Sequence, residues 1–127
     1  GNPDLIALCA ENGTATVVHA HGDNITRISD IVPNLNGMIL GTCQTEPPPS
    51  GLRNIGGFTD GDRSAYLADF LGARTITLAG FDFTAPAEKP GGNPVRKKLK
   101  LEWARKYLEA LAQKRGKTMI ISEIIEI

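Results

Sequence analysis

A three-layer α/β fold, with a mostly parallel sheet of about four or more strands and helices on both faces, is what this sequence predicts. Three observations predict it. Hydrophobic periodicity switches repeatedly between the spacing of helices and the β-branched runs of strands. The runs "TATVVHA" (14–20) and "TITLAG" (75–80) are nearly continuous in apolar character, as strands covered on both faces must be. The strand runs also end in polar residues, and in open parallel sheets the carboxyl ends of the strands are where ligands bind.

The elements follow in order. "PDLIALCAEN" has helical spacing and stops at Gly13, and the strand "TATVVHA" comes next. "DNITRISDIV" sets Ile25, Ile28 and Ile31 at helical intervals, with Asp23 or Asn24 as cap and Pro33 as stop. "MILGTCQ" is a strand. The Pro- and Gly-rich stretch 45–57, "TEPPPSGLRNIGG", predicts a loop without regular structure and, at that length, a lid. "DGDRSAYLADFLG" is a helix with Ala65, Leu67, Ala68 and Leu71 inward and Gly72 past its end. "RTITLAGFDF" is a strand, and after a second loop (84–94) the longest helix carries Leu99, Trp103, Tyr107, Leu108 and Leu111 as its apolar stripe. "KTMIISEI" closes as a strand.

The 127 residues, 41% apolar, suffice for one domain, residues 1–127, around one core. No apolar run approaches the ~20 residues of a membrane helix, and the N-terminus lacks the basic start of a signal peptide, so a soluble, cytoplasmic protein is expected. Cys9 and Cys43 have neither CxxC spacing nor a secretory context and read as reduced, packed thiols. The net charge of zero conceals an asymmetry: residues 1–88 hold ten acids and four bases, residues 89–127 four acids and ten bases. The cationic end suits a polyanion such as a triphosphate, or is simply a solvated helix face. Nothing points to nucleic acid or membrane.

The chemistry concentrates at strand ends and one helix start. "HAHGDN" (19–24) is where a buried strand emerges at the ligand-binding edge, "MILGTCQ" ends on Thr42 and Gln44, and "TITLAGFD" on Asp82. "GGFTDGDR" (56–63) places Asp60, Asp62 and Arg63 at a helix N-terminus, where the backbone of Gly57, Thr59 and Gly61 suits phosphate. Asp23, Asp60 and Asp62 are carboxylates of the kind Mg²⁺ takes together with phosphate oxygens. Each piece has a plainer explanation: Asp23 and Asp60 as helix caps, the glycines as turns, His19 and His21 as core or edge histidines. "HAHGDN" is one residue from the HxHxDH pattern of two-zinc hydrolases, but the chain has no histidine beyond His19 and His21. "DGDRSA" begins like a calcium loop, yet Leu71 stands where the bidentate Glu is needed.

Taken in order, "VVHAHGDN", "GTCQ", "GGFTDGDR", "LAGFDF" and "KKLKLEWA" resemble the archaeal 6-hydroxymethyl-7,8-dihydropterin pyrophosphokinase family, itself similar to thiamine pyrophosphokinases and motility accessory factors. The resemblance covers residues 14 to about 112 and implies a Rossmann-like fold. Family members carry a preceding segment with a "TDLDG"-type acidic motif, so this chain reads as the C-terminal catalytic part of a longer protein, inactive alone if that motif holds metal or nucleotide. An exposed sheet edge there invites pairing with another copy, a homo-oligomer.

The implied reaction transfers pyrophosphate from ATP to the hydroxymethyl group of a reduced pterin and releases AMP, a step toward cofactors of the tetrahydromethanopterin type. On that resemblance Mg²⁺ falls to Asp60, Asp62 and Asp23, and the developing charge to Arg63 with Lys97 or Lys100. His21 orients or deprotonates the hydroxyl, with Asp23 and Arg63 catalytic beside it. Asn24, Gln44, Asn54 and Asp82 offer edges to the pterin and Phe58 a stacking face. Two other readings stay open: a nucleotide-sugar glycosyltransferase-like domain of the motility accessory factor type, and a non-catalytic nucleotide-binding domain.

Overall fold

The computed structural model describes residues 3–84, 93–119 and 124–127. The chain gathers into two compact units, Gly1–Asn54 and Ile55–Ile127.

The first unit holds helix α1 (Pro3–Glu11), strand β1 (Thr16–His19), helix α2 (Ile25–Ile31) running into a 3₁₀ turn (Val32–Asn34), and strands β2 (Ile39–Thr42) and β3 (Leu52–Arg53). The three strands form one parallel sheet in the order β1-β2-β3. Register runs Thr16 to Ile39 through His19 to Thr42, so the ends of β1 and β2 stand side by side. The Leu52 side chain lies across Gly41, so that a Cβ there would meet Leu52 Cδ2 at 2.5 Å and oblige that side chain to move. Pro33 does stop α2, by turning its end into the 3₁₀ turn.

The second unit holds helix α3 (Asp60–Phe70), strand β4 (Thr77–Ala79), helix α4 (Pro94–Lys114) and strand β5 (Ile124–Glu126). β4 and β5 pair antiparallel, Leu78 opposite Ile125, and Ile76 and Ile127 exchange both backbone hydrogen bonds at 3.0 Å. Ala65, Ile76, Leu78, Leu108, Leu111, Ala112, Ile125 and Ile127 make the buried core. α3 ends where Gly72 takes φ +82°, a conformation that costs a side-chain-bearing residue, and the Ala73 N–H closes onto the Ala68 carbonyl.

The mixed α/β class and the parallel sheet stand, but several expectations need correcting. A single sheet of four or more strands is not found among the described residues, which make one sheet of three strands and a separate antiparallel pair. Neither β1 nor β4 is covered on both faces. Val17 is 46% exposed, and Thr77 and Ala79 are exposed beside buried Leu78, the alternation of an antiparallel sheet with one open face. Loop 45–57 contains β3, and Asn54 stitches its base by donating to the Thr45 carbonyl (3.3 Å) and Glu46 carboxylate (3.4 Å). Leu71 is exposed because α3 has already ended at Phe70.

On α4 the buried residues are Ala104, Leu108, Leu111 and Ala112, whereas Leu99 and Trp103 are half exposed. At about 100° per residue, 104, 108, 111 and 112 fall within about 100° of one another around the helix, and Leu99 and Trp103 lie outside that arc. Cys43 is buried, but Cys9 is exposed; both are free. The strand expected over 117–124 falls partly outside the described residues.

α3 and α4 are tied at two places. Tyr66 Oη donates to the Tyr107 carbonyl at 3.0 Å, and burial first, then Tyr107, Asp62 and Asp69, push its hydroxyl above the ordinary tyrosine value, keeping the donor protonated. Asp69, its side chain 15% exposed, accepts from Lys114 Nζ (2.8 Å) and Arg115 Nη1 (2.6 Å), while Arg115 Nη2 donates to the Ala73 and Arg74 carbonyls. These hydrogen bonds, Lys114 first and Arg115 second, hold the Asp69 carboxyl below the usual aspartate range. A folded value below the unfolded ~3.9 means stability present above pH 4 and lost as pH falls through the folded value. Asp69→Asn is expected to cost about 1–3 kcal/mol at pH 7, since hydrogen bonds to a charged group are lost. Urea unfolding of both proteins from pH 7 down to pH 2 checks this: the gap must close on the acid side. Lys114→Ala, removing an exposed partner, should cost no more than about 1 kcal/mol.

Candidate functional site

In the first unit, the end of β1 is held by Asn24. Its side-chain amide donates to the His19 carbonyl (2.7 Å) and its oxygen accepts the His21 N–H (3.1 Å), closing a tight turn in which Gly22 takes φ +87°. Asn24 occupies the N-cap position of α2 yet caps nothing there; its hydrogen bonds run backward to the histidines. The turn folds Asp23 back onto His21, so that the Asp23 carboxylate meets His21 Nδ1. His21 is 45% exposed and Asp23 84%, whereas His19 lies inward with Nδ1 3.0 Å from Thr42 Oγ1 on the neighbouring strand. The same Thr42 hydroxyl lies 3.4 Å from the Val18 carbonyl, so it ties His19 Nδ1 and the β1 backbone to β2. The two imidazoles stand 5.6 Å apart. One histidine is structural and one faces solvent with a carboxylate on its Nδ1, the arrangement that leaves Nε2 to take a proton.

In the second unit, "GGFTDGDR" is a closed turn built around a carboxylate. Thr59 is the N-cap of α3 and forms a capping box with Asp62. Asp62 is fully buried and accepts from the Phe58 N–H, from the Thr59 N–H (2.7 Å) and from the Thr59 hydroxyl. Arg63, 8% exposed, donates from Nη2 to the Phe58 carbonyl at 3.1 Å. Gly56 (φ +92°) and Gly57 (φ +83°) sit hard against the helix: a Cβ on the first meets Tyr66 Cδ1 at 2.6 Å, and on the second Arg63 Cα at 2.8 Å. Gly61 lies under the Phe81 ring, 2.7 Å from where its Cβ would be. Asp60 is exposed.

Three curated archaeal proteins, each named 6-hydroxymethyl-7,8-dihydropterin pyrophosphokinase, are similar to this chain. The protein of Pyrococcus furiosus is 42% identical over 120 residues, 88% of this chain and 50% of the relative. That of Methanothermobacter thermautotrophicus is 42% identical over 121 residues, 87% and 51% respectively. That of Methanocaldococcus jannaschii is 46% identical over 86 residues, 63% and 35%. The chain belongs to the 6-hydroxymethyl-7,8-dihydropterin pyrophosphokinase family. It spans about half the length of the first two relatives. No family model matches it, and no solved structure does.

The residues that the pyrophosphokinase resemblance nominated divide between the two units. The first brings together His21, Asp23 and Asn24, with Gln44 exposed just past β2 and Asn54 engaged with its loop. The second brings together Gly57, Phe58, Thr59, Asp60, Asp62 and Arg63. Lys97 and Lys100 stand in the first two turns of α4, which Asn93 opens by accepting the Arg96 N–H at 3.1 Å. Asp82 makes a local turn, accepting from the Thr84 N–H (2.8 Å) and hydroxyl (2.6 Å). Asp62, by contrast with Asp60, has both oxygens committed to the turn. Among the described residues no group of three or more His, Cys, Asp or Glu is arranged to hold a metal ion, and no helix is long and apolar enough to cross a membrane.

Sequence reasoning gave the cap to Asp60, although "TDGD" matches the [ST]-x-x-[DE] signature of a capping box and names Thr59 and Asp62 outright. It also missed Thr42 as the partner of His19, a register-dependent contact that no local pattern reveals.

Asp62→Asn sets an amide NH₂ against donors it must accept from. An unsatisfied buried donor costs about 1–3 kcal/mol, so the unfolding free energy should fall by that amount and the urea midpoint with it, at an unchanged slope. Asp60→Asn, which touches no cap, should leave the midpoint in place; equal losses in the two variants would contradict the assignment of the box.

Proposed function

We propose that the protein takes part in transferring pyrophosphate from ATP to the hydroxymethyl group of 6-hydroxymethyl-7,8-dihydropterin, releasing AMP, in the making of pterin cofactors of the tetrahydromethanopterin type. The observation that carries this reading is the 42% identity to two pyrophosphokinases over nearly nine-tenths of the chain. The local chemistry supports it. The parallel sheet β1-β2-β3, whose ends carry His19 and Thr42, also supports the finer Rossmann-like, three-layer arrangement as part of the same proposal.

In this reaction the pterin hydroxyl oxygen bonds to the β-phosphorus, the bond from that phosphorus to the oxygen bridging to the α-phosphate breaks, and AMP leaves with that oxygen. The hydroxyl proton goes to His21 Nε2. Asp23 on Nδ1 holds the ring in the tautomer that accepts it and stabilises the resulting imidazolium, and Asn24 keeps the couple in register. The proton stays at His21 until solvent removes it. Arg63 acts from behind, fixing the Phe58 carbonyl and hence the turn. The basic start of α4, with Arg96, Lys97, Lys98 and Lys100, combines cationic side chains with a helix N-terminus, and both favour phosphate oxygens.

Mg²⁺ usually takes only one or two carboxylates beside substrate phosphates, and exposed Asp60 fits that need; Asp23 offers a second carboxylate in its own unit. When bound with ATP the ion neutralises phosphate charge.

The test is AMP release by the purified protein with Mg²⁺, ATP and 6-hydroxymethyl-7,8-dihydropterin, with formation of the pterin diphosphate followed in parallel. His21→Ala is expected to lower kcat by about 10²–10⁴-fold, the usual contribution of a positioned base. Asp60→Asn should lower Mg²⁺-dependent turnover by orders of magnitude with unchanged thermal unfolding. AMP release indifferent to the pterin, or wild-type turnover in both variants, would sink the reading.

A further inference from the structure

The second unit carries aromatic side chains that its core does not use. Phe58 and Tyr107 lie with their ring planes 3° apart and centroids 6.4 Å apart, and Trp103 stands 6.4 Å from each, tilted by 49° and 45°. Trp103 is 49% exposed and Phe58 37%. Tyr66 backs the group, edge-on to Tyr107 at 6.0 Å and anchored by its hydroxyl to the Tyr107 carbonyl. The Lys106 ammonium sits 4.8 Å from the centre of the indole.

We infer that Trp103, Phe58 and Tyr107 form a stacking ledge for a planar, fused nitrogen heterocycle. This rests on the proposed function, which brings two such rings to the protein, the base of ATP and the pterin. Three physical points favour a ring as the occupant. The backbone that carries Phe58 is held before anything binds, by its N–H on Asp62, its carbonyl on Arg63, and Gly57 pressed onto the Arg63 backbone. Preorganisation of that kind lowers the entropy lost on binding. The surface presented is aromatic rather than aliphatic, with the half-exposed indole and phenyl rings adjacent, so it rewards a flat π-system above a shapeless apolar group. Finally, Phe58 adjoins Thr59 and exposed Asp60 at the start of α3, so a ring on the ledge has, within the same unit, the carboxylate given a metal role beside it. Lys106 beside the indole adds a positive charge suited to an electron-rich ring carrying carbonyl or phosphate oxygens.

The chain has a single tryptophan, so its fluorescence reports the ledge alone. Titrations of the intact protein with AMP and, separately, with 6-hydroxymethylpterin should each be followed by Trp103 emission and by calorimetry. Quenching by one ring and not the other identifies which of the two the ledge takes. Trp103→Leu and Phe58→Leu should each weaken that ligand about five- to 150-fold, the range for losing one base-stacking ring, while thermal unfolding stays near wild type. Trp103→Phe should recover most of the affinity, which a merely structural role does not require. Binding that weakens in this pattern without any AMP release would leave the ledge standing and remove the pyrophosphokinase reading. AMP release with unchanged KM for both ATP and the pterin in both leucine variants would overturn the ledge and leave the reaction.

Discussion

Asp62 never reaches water, and the candidate chemistry of the second unit is organised around that fact. A buried carboxylate is tolerable only when its oxygens are met by donors, and here the donors are the backbone of the residues just before the helix. That single demand bends 56–59 into a fixed turn, starts α3 at Asp60, turns Asp60 out to solvent and holds Phe58 in place beside Trp103. Two glycines permit the turn because any side chain would strike Tyr66 or Arg63. Asp62, which looked in sequence like one of three metal ligands with Asp23 and Asp60, is the residue that shapes the turn before Asp60.

The first unit solves a similar problem with a neutral side chain. After Ala20 makes the last bond to β2, the His19 carbonyl and the His21 N–H remain, and Asn24 reaches back to satisfy the first with its amide and the second with its oxygen. The geometry that results sets the two histidines apart: His19 turns inward to Thr42, and His21 turns out with Asp23 on its Nδ1. Two identical residues two positions apart would share a face along a continuing strand, but β1 ends at His19 and the turn held by Asn24 aims His21 elsewhere.

How much of this was legible in the sequence depended on whether the determinant was local. The α/β class, the strands at "TATVVHA" and "MILGTCQ", the stop at Pro33, the helix over 60–70 and the peculiarity of "HAHGDN" all came from residues within one helical turn or one strand of each other. Pairing between distant segments did not. β4 reads as a buried parallel strand because Ile76 and Leu78 are flanked by threonines and alanine, residues that suit a covered face and an open one alike. The stripe on α4 was drawn through the large residues, Leu99 and Trp103, whereas the buried side is marked by alanines at 104 and 112, which signal close approach more quietly than size does. The family resemblance rested on motifs, and the relatives' names agree with it, whereas the roles of single residues such as Asp62 needed the hydrogen bonds.

The pairing of β4 with β5 has a bearing on how the chain assembles. Contacts within the first sheet join residues close in sequence, Thr16 with Ile39 and Gly41 with Leu52, while Leu78 meets Ile125 only across the whole of α4. Closing a longer loop costs more entropy before any contact repays it, and formation is correspondingly slower. Ile125 and Ile127 are also core residues, so as the chain emerges from the ribosome the second unit has nothing to close its core until residue 127 has been made. Leu108 and Leu111 therefore cannot complete their burial until β5 has been made, whereas the sheet of the first unit needs no residue beyond Arg53.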